Sequence, residues 1–214
     1  MQCSLKEVGD IAQRAGVGVH LPAGLERDVG DAALWLAGRG LHGVEIAAAS
    51  LSRYGVDGET QKIGLIHGVE ILEELTESQR RNPGLPAAWN DSIFCPAGLL
   101  PYAAKLSRNG LAVHLTWQSP DRSERGLALC AHGSIRLRFS EPSIMAAESA
   151  FPTSIVISDR PMAVSGPIPT QIVLDAWELD RRLDAAVMKG VATPEAPWAQ
   201  LSALSETPLM ADDA

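Results

Sequence analysis

Few residues of this chain have the chemistry to act on a ligand. They are five histidines, three cysteines and a run of glutamates on one predicted helix. The histidines are His20, His42, His67, His114 and His132. No pair has H-x-x-x-H spacing and no cysteines stand as C-x-x-C, so the spacing predicts no sequence-local metal centre. Imidazole titrates near neutrality, which makes each histidine a candidate proton carrier. His42 and His67 share an apolar-His-Gly setting, Leu41-His42-Gly43 and Ile66-His67-Gly68, and either caps a helix or faces a cleft. His132 reads as a turn residue, and His114 as a residue on the second face of a sheet.

Cys95 lies in Ile93-Phe94-Cys95-Pro96-Ala97-Gly98, just ahead of a predicted helix. Proline at the first helical position makes Cys95 the N-cap, where the positive end of a helix dipole favours thiolate. That is the setting of a nucleophilic or redox cysteine; the alternative is a small buried apolar residue. His42, Cys95 and His67 are therefore the candidate catalytic residues. Glu70, Glu73, Glu74 and Glu77 recur at three- and four-residue spacing along one helix. Paired carboxylates do acid–base work when one is desolvated, but the spacing also describes a solvated helical face, which is the reading adopted. Gly38-Arg39-Gly40-Leu41-His42-Gly43 has the form G-x-G-x-x-G, which cradles a pyrophosphate when it joins a strand to a helix. The preceding Asp31 to Ala37 segment is helical in pattern, so these glycines read as a helix stop and no cofactor is predicted.

The elements that must hold these residues follow from periodicity. Ser4 and Glu7 form a capping box for a helix over Leu5 to Ala15. A second helix starts near Pro22 and stops at Gly38, and an Ala-rich third covers Val44 to Arg53. Ile63 to Ile66 reads as a short strand before a helix ending near Glu77. Pro83, Gly84 and Pro86 mark a loop over Ser78 to Asn90, and Pro96 to Arg108 is helical. Leu111, Val113, Leu115 and Trp117 then alternate with polar neighbours, as a half-buried strand requires. Leu127 to Ala131 and Ile135 to Phe139 form a hairpin around His132-Gly133, with Arg136 and Arg138 on its wet face. Thr153 to Ser158 is another strand, and Thr170 caps a long last helix to Met188. The pattern predicts an α+β fold with a central, mainly antiparallel sheet. It is one domain over residues 1–190, with a helical unit at 1–58, a sheet-containing core at 59–190 and an extended or partly disordered acidic tail at 191–214.

The chain of 214 residues carries a net charge of −8, which argues against nucleic acid as a partner. Three cysteines do not make a disulfide framework, and the N-terminus lacks the features of a signal peptide. No uncharged apolar run reaches membrane-span length, so the expected setting is the cytoplasm.

Cys3-Ser4-Leu5-Lys6-Glu7-Val8 and Leu34-Trp35-Leu36-Ala37-Gly38-Arg39-Gly40-Leu41 resemble a bacterial family of unknown function. Its members pair an N-terminal "SLNE" helix with an "RWL" helix end; the resemblance is best over Met1 to Ala49 and implies no activity. Gly40-Leu41-His42-Gly43-Val44 is similar to a stretch of the malate/lactate/ureidoglycolate dehydrogenase family that lacks a Rossmann fold. There a Ser-His-Gly supplies a catalytic histidine, and Leu41 stands here in place of the serine. That likeness implies a reduced oxidoreductase using His42, with NAD or NADP as its cofactor. Two functions follow as expectations: a binding or accessory protein of small-molecule metabolism, homo-oligomeric and with a small ligand or a partner enzyme, and an enzyme using His42 or Cys95.

Overall fold

The computed structural model describes residues 1–119, 125–140, 150–161 and 172–206. The chain divides into two compact units, Met1–Gln61 with Arg181–Ala214, and Lys62–Asp180.

The first unit is built on helices α1 (Leu5–Gly18), α2 (Leu25–Gly38), α3 (Gly43–Asp57) and α7 (Glu195–Ser205), with a two-stranded ribbon of β1 (Gln2–Cys3) and β8 (Val191–Ala192). The capping box at the head of α1 forms as predicted: the Glu7 amide donates to Ser4 Oγ and the Ser4 amide to Glu7 Oε2, at 3.2 and 2.7 Å. Val8, Ile11, Ala12 and Ala15 of α1 are buried, as are Val29, Ala32, Ala33 and Leu36 of α2. Small residues let these helices approach closely. A β-carbon on Gly18 would collide with the carbonyl of Leu204 in α7.

The second unit carries a six-stranded antiparallel sheet in the order β2-β6-β3-β4-β5-β7. Its strands are β2 (Ala87–Phe94), β3 (Ala112–Gln118), β4 (Arg125–Ala131), β5 (Ser134–Phe139), β6 (Ala150–Ser158) and β7 (Ile172–Leu174). Val113, Leu115 and Trp117 point to the buried face with Ala128, Cys130, Ile135, Leu137, Ile155 and Ile157. Helix α4 (Gly64–Arg81), a 3-10 turn over Pro96–Leu99 and helix α5 (Leu100–Ser107) belong to this unit. The hairpin around His132-Gly133 forms, and Arg136 and Arg138 are exposed. The fold is α+β.

Several boundaries differ from the sequence expectation. Ile63 to Ile66 is no strand: Ile63 is the N-cap of α4, which runs on to Arg81 and shortens the expected loop. Thr170 lies outside the described residues, and Ile172–Leu174 is strand, so the last long helix, α6 (Ala176–Lys189), begins later. The division between the units falls inside this one continuous helix. The expected extended tail from residue 191 is instead a short strand and α7, through Ser205. In α7 buried Leu201 and the pairing of Gln200 Nε2 with Ser52 Oγ at 2.6 Å tie it to α3.

Candidate functional site

His42 sits between α2 and α3, where the chain reverses through Gly38 to Gly43. Its backbone is left-handed (φ +55°), and its carbonyl accepts the Ile46 amide at 2.9 Å as the N-cap of α3. The side chain makes no cap; its Nδ1 lies 3.0 Å from Glu45 Oε1 across the first turn. The imidazole is 44% exposed and the carboxylate 23%. The hydrogen bond to Glu45, with its charge, raises the His42 pKa above the usual value against the opposing effect of burial. Burial pushes the Glu45 carboxyl up, but the hydrogen bonds from His42 and from its own backbone, with the imidazole charge, hold it below its usual value. Both partners shift as an ion pair demands. With Nδ1–H donating to the carboxylate, Nε2 is the ring atom left to exchange a proton with a ligand.

The glycine run around His42 is a helix–helix joint. A β-carbon on Gly43 would collide with the Ala33 carbonyl of α2, and one on Gly38 would stand 2.9 Å from Leu183 Cδ1. A strand does not precede it, and its glycines serve close packing, so the run does not fit a dinucleotide pyrophosphate. Two arginines border it. Arg39, nearly buried, stacks its guanidinium 4.2 Å over the Trp35 ring and donates to the Trp35 carbonyl at 3.3 Å. The Arg182 guanidinium lies over Gly40, where an added β-carbon would be 3.4 Å from Nη1. Sequence reasoning singled out His42 but passed over Glu45 and Arg182. A Glu three residues after a helix-capping His was a usable signal; Arg182, distant in sequence, offered none.

His67 and Cys95 belong to the other unit, and both serve its packing. His67 is buried, and its Nδ1 accepts the Ile63 amide at 2.9 Å. It thus satisfies one of the free donors at the head of α4. Cys95 is wholly buried and left-handed (φ +49°), and heads a 3-10 turn of four residues. Around it the Phe94 amide donates to the Lys62 carbonyl at 2.9 Å. A β-carbon on Gly64 would be 2.5 Å from the Cys95 carbonyl oxygen, and one on Gly98 2.5 Å from the Leu65 nitrogen. The head of α4 and the Cys95 turn therefore meet backbone to backbone, a joint that leaves no room for a ligand between them.

The remaining candidates lie apart from this joint. Glu70 pairs with Lys62 at 3.2 Å and Glu77 with Arg81 at 3.1 Å, both at exposed positions. Glu73, Glu74 and Glu77 line a groove of about 590 Å³ with Tyr102, Lys105 and Leu106. Burial lowers the pKa of His114, and its Nε2 has no hydrogen-bond partner among the described residues. Among the described residues no three His, Cys, Asp or Glu side chains gather as a metal site, and no helix is long and apolar enough to cross a membrane.

No family model matches the chain, and no curated protein matches it. Solved structures do. A dehydrogenase from Sinorhizobium meliloti aligns with a TM-score of 0.63 at 13% identity, over 96% of this chain and 99% of that one. Malate dehydrogenase from Entamoeba histolytica aligns with a TM-score of 0.62 at 9% identity, over 98% and 99%. At such identities the likeness is one of fold: this chain shares the fold of these two proteins.

Proposed function

We propose that this chain is a small-molecule-binding protein on a dehydrogenase-type scaffold, accessory to metabolism, whose ligand is a small organic acid met by His42. The observation that carries this reading is the His42–Glu45 pair. It holds a half-exposed imidazole with Nδ1 against the carboxylate, and that hydrogen bond raises the ring's pKa above its usual value and so favours the protonated form. The Arg182 guanidinium lies over Gly40 beside the same turn. A carboxylate ligand is the complement of such a corner.

A second reading is a reduced oxidoreductase of the malate/lactate-dehydrogenase type, with His42 exchanging the substrate hydroxyl proton. The fold likeness to two dehydrogenases favours it. A nicotinamide dinucleotide would supply hydride transfer there, held elsewhere than at the Gly38 to Gly43 turn.

Thermal shift separates the two. Binding alone raises Tm with small 2-hydroxy or 2-oxo acids, malate and lactate among them, and leaves it unmoved by NAD(H) or NADP(H). The acid-dependent shift disappears in His42→Ala. A shift with a dinucleotide, together with turnover of the acid, selects the oxidoreductase. Absence of any acid-dependent shift overturns the binding reading.

A further inference from the structure

Helices α4 and α5 are pressed together at one end and held apart beyond it. At the head of α4, Gly64 and Leu65 meet the turn that leads into α5, and a β-carbon on Gly68 would stand 2.7 Å from Tyr102 Cδ2. The Tyr102 hydroxyl donates to the Leu65 carbonyl at 2.7 Å, which fixes the ring as a wall. Past Gly68 the groove of about 590 Å³ opens, with Val69, Leu72, Thr76, Tyr102 and Leu106 in its lining. Leu72 and Thr76 are buried, and Thr76 spends its hydroxyl proton on the Leu72 carbonyl at 2.6 Å, so the floor is apolar. Small-molecule sites are commonly apolar clefts of roughly 300–1,000 Å³ with a few placed polar groups.

Around this floor stand charges of both signs. Glu73, Glu74, Glu77 and Arg80 come from α4 and Lys105 from α5, all exposed. Glu77 is paired with Arg81, whereas among the described residues Glu73, Glu74, Arg80 and Lys105 are in no ion pair. Glu73 also stands four residues before Glu77, and Glu74 four after Glu70, a like-charge spacing that disfavours a helix. A ligand's ammonium would relieve that repulsion.

We propose that this groove binds a zwitterionic small molecule with an apolar body, its ammonium toward Glu73 and Glu74 and its carboxylate toward Lys105 and Arg80. An apolar α-amino acid and a short apolar peptide share that chemistry. Two carboxylates and two cations without partners sum to no net charge, and a molecule of both signs complements all four. A plain acid leaves the glutamates unmet, and a plain amine leaves Lys105 and Arg80. Charge-assisted hydrogen bonds orient the two ends, and the floor takes the body out of water. The groove lies within the second unit, and the proposal does not rest on the His42 reading.

Calorimetric titration of the full chain with leucine, phenylalanine and leucyl-leucine tests this. It is run beside N-acetyl-leucine, which lacks the ammonium, and leucinamide, which lacks the carboxylate. The zwitterions are expected to bind, and both blocked analogues about tenfold more weakly or worse. The tighter of leucine and leucyl-leucine tells amino acid from peptide as the ligand. E73Q/E74Q removes the preference over N-acetyl-leucine, and Lys105→Met the preference over leucinamide. These positions are exposed, so circular dichroism is expected to match the wild type, and the comparison of analogues needs no variant. His42→Ala leaves this binding intact, so its failure and that of the organic-acid reading are told apart. No binding of any zwitterion up to millimolar concentration, blocked analogues that bind as well as leucine, or variants that keep both preferences overturns the proposal.

Discussion

His42 Nδ1 stands 3.0 Å from Glu45 Oε1 across the first turn of α3, and the left-handed backbone at His42 puts its ring there. The contact makes two titrations depend on each other. The His42 pKa is expected above its usual 6.5, and Glu45→Gln brings it down again. The stability linkage follows from the signs of both shifts. A raised His42 contributes fully below about pH 6.5 and loses its contribution as pH rises through the folded-state value. A lowered Glu45 contributes above about pH 4.5 and loses its contribution as pH falls through its own folded-state value. The pair therefore stabilises most between about pH 4.5 and 6.5 and less on either side as pH passes through the folded-state values, by less than about 1 kcal/mol since it is partly exposed. Histidine C–H resonances followed with pH check this; an unshifted His42 midpoint in the wild-type protein contradicts it.

All three cysteines, Cys3, Cys95 and Cys130, are buried thiols outside any disulfide. Burial pushes the Cys130 thiol up to about 12. A thiolate-specific reagent near neutral pH is expected to leave the native protein unlabelled and to modify three thiols per chain once it is unfolded. Fast labelling of Cys95 in the native state would restore a reactive role to that residue.

The Cys95 contrast shows what the sequence could carry. Proline after Cys95 correctly marks a helical start, and the cap position is where the sequence places it. Burial is a property of the partner segment, and nothing in residues 93–98 states that Gly64 will press against the Cys95 carbonyl. The same limit applies to Ile63. Its short apolar run, Ile63-Gly64-Leu65-Ile66, reads as strand, yet Ile63 is the N-cap of α4 and the His67 ring four residues on accepts its amide. Local signals with their own hydrogen bonds, such as the Ser4–Glu7 box and the alternation in β3, are legible. In the glycine run only the helix stop was legible, because its close packing is against Ala33, on the preceding helix.

His67 gives a stability prediction independent of ligand. Replacing it with Ala leaves the Ile63 amide buried without this acceptor, at a cost of about 1–3 kcal/mol before any cavity effect. Urea unfolding measures the loss, and hydrogen exchange at the Ile63 amide localises it. If exchange there is unchanged, the capping bond is not what the substitution removed.

Two glycines separate steric need from backbone need. Gly58 has φ +58° and ψ −132°, with nothing near its missing side chain among the described residues, so Gly58→Ala meets only backbone strain, about 1–3 kcal/mol. Gly43 lies in α3, and its β-carbon would strike the Ala33 carbonyl, so Gly43→Ala must part α2 from α3 at an overpacking cost of about 1–3 kcal/mol. The costs overlap, but the consequences differ. Parting the helices displaces His42, the residue next to Gly43, so Gly43→Ala is expected to abolish the acid-dependent thermal shift while Gly58→Ala keeps it. Equal ligand responses in the two variants would mean that the α2–α3 joint does not position His42, and the binding site would have to be sought elsewhere in the chain.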